Sequence, residues 1–532
     1  MTKKAPDFDA VVVGAGFAGM YMLYRLRELG LSVRVFETGA DVGGTWYWNR
    51  YPGARVDTET MFYSYQFSEE LQQEWDWPER YPSQADLHKY ACHVADRFEL
   101  RPDIQFETRV DSTAWDEEAG FWRVETGDGA STTARYCIMA TGCLSAVNYP
   151  EFDGLDDFAG ETYHTAHWPD GGVNFTGKRV AVIGTGSSGV QSIPVIAEQA
   201  AALHVFQRTA NYVIPSRNRP MEPEEVAEIR ANYPELRARA KKSFSGNYFP
   251  VAGPSALAIS KEERDREYEA RWAHGGLVFM AAYADFQTSD AANETASEFI
   301  RNKIRGIVDD PEIGELLAPK QAFLCKRLCV GTDYYETYNR DNVSLIDISE
   351  RPIDRITPEG VCVDGQVYEV DVLVLATGFD AVTGALKRID IKGMDDLKLR
   401  DKWEDGPRAY LGLGVAGFPN LFMITGPGSP SVLTNMIPSI EQHVDWITAC
   451  IEHMRSHDKI RIEPEAEAEK SWVNHVNEVG DLSLRATCQS WYFGSNIPGK
   501  ARVVLPYSGG FPVYVRKCDE VAANGYSGFA LS

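Results

Sequence analysis

The segment DAVVVGAGFAGMYMLYRLRELGLSVRVFE, which starts at Asp9, limits what this chain can become more than any other stretch of it. An apolar run enters a glycine turn, the turn opens a stretch with the apolar spacing of an amphipathic helix, and a second apolar run follows. That order is one βαβ unit. The pattern returns from Lys178 as KRVAVIGTGSSGVQSIPVIAEQAAALHVFQR, so the chain carries two cores of one design.

Gly14, Gly16 and Gly19 form GxGxxG between strand and helix, where a missing Cβ lets the backbone approach a pyrophosphate and the helix N-terminus adds partial positive charge. Glu37 stands at the end of the second strand, where a carboxylate can accept hydrogen bonds from ribose hydroxyls. A tight turn in an unrelated α/β fold would not require an acid there. Gly184, Gly186 and Gly189 repeat the spacing, but Arg208, followed by Thr209, takes the place of Glu37. A carboxylate would repel a 2′-phosphate, whereas a guanidinium holds one bidentately, so the second unit is expected to prefer NADPH to NADH. Two unlike sites in one chain imply electron flow from NADPH to FAD. The expected fold class is α/β, with two Rossmann-like dinucleotide-binding domains (FAD and NADP) and a helical insertion in the NADP domain.

The insertion is read from EEVAEIRANYPELRARAKK, EERDREYEARW and EFIRNKIRGIV, whose charged, helix-favouring composition replaces strand texture. Strand texture resumes with VSLIDI and DVLVLATGF, and SIEQHVDWITACIEHM is the last helix expected. Residues 1–145 and 381–532 are assigned to the FAD-binding domain, 146–220 and 326–380 to the NADP-binding domain, and 221–325 to the insertion. Ala140-Thr141-Gly142 and Ala376-Thr377-Gly378 each close a strand with a small residue, a hydroxyl and a glycine. They resemble the crossover segments of flavoproteins with two dinucleotide sites.

A formal charge of -24 gives an acidic surface that repels nucleic acid and anionic bilayers. No run approaches the roughly 20 apolar residues of a membrane span. Lys3 and Lys4 precede an apolar stretch too short for a signal peptide. The nine cysteines are odd in number and form no CxxC pair, so free, mostly buried thiols in a reducing cytoplasm are expected rather than a disulfide framework. Cys325 and Cys329 lack a second ligand pair, and no metal is expected.

Between the two cores runs FAGETYHTAHWP, in which Phe158, Gly160, His164, Trp168 and Pro169 complete FxGxxxHxxxWP. This resembles the fingerprint of the type I Baeyer-Villiger monooxygenases, and its Trp-Pro ending departs from the related flavin N- and S-monooxygenases. The resemblance covers essentially the whole chain, through GTWYWNRYPGARVDTE from Gly44, YYETYNRDNV from Tyr334, LATGFDAVTGAL from Leu375, GPGSPSVLTNM from Gly426 and SWYFGSNIPGK from Ser490. It is nearest to the phenylacetone- and steroid-oxidising members.

The resemblance implies an FAD- and NADPH-dependent enzyme that converts a ketone and O2 to an ester or lactone through a C4a-peroxyflavin. It places Ala18, Thr45, Trp46, Trp48, Arg55, Asp57, Tyr63, Val110 and Met436 at FAD. Thr185, Gly186, Ser187, Ser188, Gln191, Arg208, Thr209, Lys326 and Trp491 fall to NADP, and His164 to a linker with an organising rather than an acid-base role. Arg327, in LCKRLC, is implied to stabilise the anionic peroxide beside both cofactors, with Asp57 orienting it. A guanidinium suits that task because it stays protonated and offers several donors. From local sequence alone Arg327 also reads as a surface strand arginine. Lys326 would then face the 2′-phosphate, because adjacent side chains of an extended segment point opposite ways. Ser431, Val432 and Leu433 lie in a loop that resembles the longer active-site loop of phenylacetone-type enzymes rather than the shorter one of cyclohexanone monooxygenases, which favours aryl or bulky ketones within an implied range of aryl, cyclic or bulky, steroid-like ones. A monomer or weak homo-oligomer is expected. Two alternatives stay open: a flavin N- or S-monooxygenase, and a non-oxygenating NADPH oxidase flavoprotein.

Overall fold

The computed structural model describes residues 5–532; Lys3 and Lys4 lie outside them. Both βαβ units form as the glycine spacing requires. In the first, the strand Phe8–Val13 leads through Gly14 and Gly16 into the helix Phe17–Glu28 and returns as the strand Val33–Phe36. Phe8–Val13 is central, paired in parallel with Val33–Phe36 on one side and with Ser131–Met139 on the other. An antiparallel meander, Val110–Asp116, Phe121–Thr126 and Ser131–Met139, extends the sheet to eight strands, which also include Asp390–Lys392 and Leu421–Met423.

The second unit, Arg179–Ile183, Ser187–Gln199 and Ala202–Gln207, lies in a separate, wholly parallel sheet of five strands. Its order is Val343–Asp347, Ala202–Gln207, Arg179–Ile183, Val372–Leu375 and Glu161–His164. Alternation of side chains sends each central strand into two cores. Ala10 and Val12 join one apolar cluster and Val11 and Val13 another, and in the second sheet Val180 and Val182 part in the same way from Ala181 and Ile183. Each such fully buried valine contributes roughly 1.5–3 kcal/mol.

The helical insertion is real: Pro223–Lys241, Lys261–His274, Asp290–Ile307 and Pro311–Leu317 occupy it. Its ends are held together by the parallel pair Val213–Pro215 and Cys329–Gly331. Tyr268, Phe279, Phe286 and Phe323 knit it to the core of the five-stranded sheet. The helix expected to be last, Met436–Ser456, is followed by two more, Ala466–Asp481 and Phe511–Ala523. Each of these buries a stripe at helical spacing, Glu469, Trp472, Val476 and Gly480 in one and Phe511, Tyr514, Cys518 and Val521 in the other. That spacing is the ordinary signal of an amphipathic helix, so both are legible in the sequence.

The expectation of nine free thiols fails at one pair. Cys325 and Cys488 form a disulfide, with Cα atoms 6.1 Å apart and 163 residues between them in sequence; the other seven cysteines are free. Spacing along the chain cannot report a contact made only by the folded chain. No helix among the described residues is long and apolar enough to cross a membrane.

Candidate functional site

The two glycine turns are built alike. Gly14 has φ +104° and Gly184 φ +109°, in the left-handed region open to glycine. A Cβ on Gly14 would stand 2.6 Å from the carbonyl oxygen of Ala140, and one on Gly184 2.5 Å from that of Ala376. This gives the two Ala-Thr-Gly segments a physical role, since each lies across the mouth of its own glycine turn. Gly19 and Gly189 pack beneath, where a Cβ would meet the oxygens of Gly14 and Gly184 at 1.8 and 2.2 Å. Neither following helix has a side-chain cap; Gly16 and Gly186 are the N-caps. Their first-turn N–H groups are therefore left for an anion. Nothing lies within 4 Å of where a Cβ on Gly186 would be. Uncapped donors fit a pyrophosphate at both turns, although a Cβ on Gly16 would stand 3.4 Å from the Gly44 Cα.

A cavity of about 690 Å³ opens at the carboxyl ends of the first sheet and reaches the second unit. Gly14, Gly16, Ala18, Glu37, Thr45, Trp46, Trp48, Arg55, Asp57, Tyr63, Val110, Ser187, Gln191, Arg327, Val432, Leu433, Met436 and Trp491 line it. The structure thus gathers most of the expected site from segments scattered over more than 450 residues. Thr185, Gly186, Ser188, Arg208, Thr209, Lys326 and Ser431 stand outside its walls. Glu37 is buried and accepts hydrogen bonds from the N–H groups of Ala15 and Gly39, both at 2.7 Å, which fix its carboxylate under the glycine turn. Burial pushes its pKa up, and those donors pull it back.

At the far wall Arg327 meets Asp57. Nη2 donates to Asp57 Oδ2 at 2.7 Å and Nε to the same oxygen at 3.2 Å, while Nη1 donates to the Val432 carbonyl at 3.1 Å. The surface-strand alternative for Arg327 falls here. The strand begins only at Cys329, and the arginine side chain is 27% exposed, turned to a carboxylate that is 25% exposed. Burial alone would lower the Arg327 pKa, but Asp57 and the Tyr492 hydroxyl more than offset it, and the guanidinium stays charged. Ser431, with φ +43°, is fully buried in the turn Ser431–Leu433 that presents the Val432 carbonyl to Arg327.

Two expected cofactor ligands are engaged by protein. Gln191, on the helix of the second unit, accepts from the Tyr51 hydroxyl at 2.8 Å and donates to the Arg55 carbonyl at 3.0 Å. Beneath it a Cβ on Gly53, whose φ is +81°, would stand 2.3 Å from the Gln191 carbonyl oxygen. Arg55 donates to Glu79 and to the Tyr81 carbonyl, both at 2.8 Å. Lys326 and Arg208 lie near enough for Arg208 to add to burial in lowering the Lys326 pKa. Among the described residues neither forms an ion pair, so two like charges wait together beyond the end of the strand Ala202–Gln207.

The fingerprint surrounds His164. The Ala166 N–H donates to Nδ1 at 3.1 Å, Nε2 lies 3.1 Å from the Thr377 hydroxyl, and that hydroxyl donates to the Asn148 carbonyl at 2.7 Å. With its one proton spent on Asn148, Thr377 can only accept from His164, which fixes a neutral, Nε2-protonated ring. Burial lowers its pKa to about 4. Phe158 and Trp168 pack into the two cores of the five-stranded sheet, and Gly160 is needed because a Cβ would lie 2.4 Å from the Asp371 carbonyl oxygen. Pro169 accepts the Gly172 N–H.

Sequence reasoning missed Phe249, Leu277 and Met280, which the insertion sends into the cavity, and Tyr492 beside Arg327. The only trace of the first three is an aromatic, glycine-bearing texture in the two stretches that separate the charged helices, Phe249 in the first and Leu277 and Met280 in the second.

Residues 11–244 match the model of the pyridine nucleotide-disulphide oxidoreductase family. A Baeyer-Villiger monooxygenase of Pseudooceanicola batsensis is 44% identical over 525 residues, covering 98% of this chain and 96% of that one. The chain belongs to the Baeyer-Villiger monooxygenase family. A steroid monooxygenase solved in oxidised form with NADP superposes on this family member with a TM-score of 0.94, at 50% identity over 98% of this chain and 99% of that one. A phenazine N-monooxygenase of Lysobacter antibioticus is 43% identical, covering 98% of this chain and 97% of its own. Baeyer-Villiger relatives and at least one heteroatom oxygenase thus share this fold at similar distance.

Proposed function

We propose that this Baeyer-Villiger monooxygenase uses FAD, NADPH and O2 to convert aryl, cyclic or bulky ketones to esters or lactones. The observation that carries this reading is the Arg327–Asp57 pair at the wall of a cavity that holds the Gly14 turn and reaches Ser187 and Gln191 of the second unit. FAD, when reduced, supplies the two electrons that activate O2. The chain supplies the rest. Glu37 suits the ribose hydroxyls of one dinucleotide, and the Gly14 turn its pyrophosphate. Arg208 and Lys326, unpaired and adjacent, suit the 2′-phosphate of the other, with Thr185 through Gln191, Thr209 and Trp491 along its length.

Arg327 spends part of its donor fork on Asp57 and Val432, and the remainder is free for negative charge that develops on the substrate oxygen. Asp57 holds the fork in register. Val432, Leu433, Met436, Phe249, Leu277 and Met280 make that region apolar, which excludes water and strengthens the guanidinium's field. We assign residues 1–145 and 381–532 to the FAD unit, 146–220 and 326–380 to the NADP unit and 221–325 to the insertion, in a cytoplasmic monomer or weak homo-oligomer. His164 organises the linker, since both of its nitrogens are committed.

The identity to a phenazine N-monooxygenase favours heteroatom oxidation as the second reading. NADPH oxidation by FAD-loaded protein, measured with phenylacetone, cyclohexanone, a steroid ketone, a sulfide and an amine, separates the two. Ketone-stimulated oxidation with an ester or lactone heavier by one oxygen is expected. Turnover on the sulfide or amine alone, or H2O2 as the only product, refutes the proposal.

A further inference from the structure

Of the buried guanidinium groups in this fold, Arg80 meets Glu59, Arg271 meets Glu267, and Arg237 donates to the Ser64 hydroxyl at 2.7 Å. Among the described residues, Arg485 has no such acid and no such hydroxyl contact. It sits in the short turn Leu484–Thr487 and is only 9% exposed. Its Nε has no hydrogen-bond partner, and among the described residues no carboxylate lies within ion-pairing reach of it. A charge held out of water without a partner is costly, and a native fold keeps one for a reason.

Its surroundings give the reason. Burial depresses the Arg485 pKa, the Tyr492 hydroxyl raises it, and Arg327 lowers it again, so it stands in the field of the Arg327 site. Asp57 answers one of the two guanidinium groups and leaves one positive charge over. Ala486, next in sequence, packs against the cluster that joins Tyr492 and Trp491 to the loop residues Val432 and Leu433. The segment cannot withdraw to solvent. The Leu484 N–H donates to the Gln287 carbonyl at 2.9 Å, the Ser483 hydroxyl to Gln287 Oε1 at 2.9 Å, and Cys488 is bonded to Cys325, two residues before Arg327. In a chain of net charge -24, a fixed local cation in the field of Arg327, which does line the cavity, is an anion site.

We propose that Arg485 recognises an anionic oxygen group, namely a carboxylate carried by the ketone substrate. This rests on the ketone-oxidising reading above. A dinucleotide phosphate offers the same chemistry, and the test separates the two sources.

The probes are phenylacetone and 4-(2-oxopropyl)benzoate, which differ only by the carboxylate. Each is titrated into the oxidised, FAD-loaded enzyme, followed by flavin absorbance, and then turned over with NADPH. The wild type should bind the carboxylate ketone about tenfold more tightly than phenylacetone. Arg485→Gln should erase that preference, Arg485→Lys should keep part of it, and both variants should leave phenylacetone affinity and the NADPH KM within about twofold of wild type. Because the arginine is unpaired, Arg485→Gln should not lower the Tm. A raised NADPH KM with no change toward either ketone would overturn the substrate assignment in favour of a dinucleotide phosphate. Equal affinity of the wild type for both probes, or equal loss for both in Arg485→Gln with a lowered Tm, would make the arginine merely structural and overturn the proposal. The binding arm reads the anion site even if no ketone is oxygenated, so its failure is distinct from failure of the proposed reaction.

Discussion

Replacing Arg327 with alanine should separate the two halves of the reaction. The guanidinium makes three hydrogen bonds, two to one Asp57 oxygen and one to the Val432 carbonyl. For stability, the relevant loss is the carboxylate left behind. A fully buried broken pair costs about 3–5 kcal/mol, but Asp57 is a quarter exposed and water can reach it, so about 1–2 kcal/mol is the better figure. The protein should remain folded. For turnover, removal of one preorganised donor to a developing oxyanion costs roughly 10²–10³ in rate, and Arg327 carries a full charge as well. Ester formation should therefore fall at least that far, while anaerobic reduction of the bound flavin by NADPH, read by stopped-flow absorbance, stays within about tenfold of wild type. Arg327→Lys should fall in between, because an ammonium keeps the charge and loses the fork. If Asp57 acts only through Arg327, adding Asp57→Ala to Arg327→Ala should cost little more. Ester formation near the wild-type rate in Arg327→Ala, or flavin reduction lost as completely as ester formation, would refute this division of labour.

Arg208→Ala should raise the NADPH KM about 10- to 150-fold, as loss of a charge-assisted contact worth roughly 1.5–3 kcal/mol implies, with NADH use little changed; equal effects on the two cofactors would count against the 2′-phosphate site. Gly186→Ala should leave the Tm unchanged, because no protein atom lies within 4 Å of the new Cβ, yet weaken NADPH because that space faces the uncapped helix start; a lowered Tm with normal NADPH affinity would contradict the cradle. His164 has a folded pKa of about 4 against 6.5 for the open chain, so it stabilises fully above pH 6.5 and loses that contribution as pH falls toward 4. The loss amounts to about 3 kcal/mol, and His164→Gln should flatten the Tm profile across that window; an unaltered slope would rule the histidine out as its source.

How legible each part was follows from how local its cause is. Gly14 and Gly184 are visible in sequence because positive φ and a carbonyl oxygen at 2.6 and 2.5 Å leave no other residue type. Glu37 and Arg208 are visible because a βαβ unit fixes where its second strand ends. Arg327 and Asp57 are 270 residues apart, and nothing within LCKRLC or ARVD indicates that they meet; only resemblance brought them together. Cys325 and Cys488 were misread because the odd count and absent CxxC describe neighbours in sequence, while their bond is made by the folded chain. The helices after Met436–Ser456 were legible, since their buried residues recur at helical spacing, and were passed over.

The features least legible in sequence are those that join the two units, for a physical reason. A dinucleotide site on one βαβ unit can be specified within that unit, but an oxygen-transfer site needs atoms from both at fixed distance. Asp57 belongs to the segment that Gln191 of the second unit grips through Tyr51 and Arg55, at a glycine where the two backbones nearly touch. Arg327 arrives from the far end of the insertion, two residues after a disulfide to the loop that carries Trp491. The 2.7 Å contact between Arg327 and Asp57 therefore depends on three long-range ties at once, and a change in any of them would be felt at the guanidinium before it was felt in either nucleotide cradle.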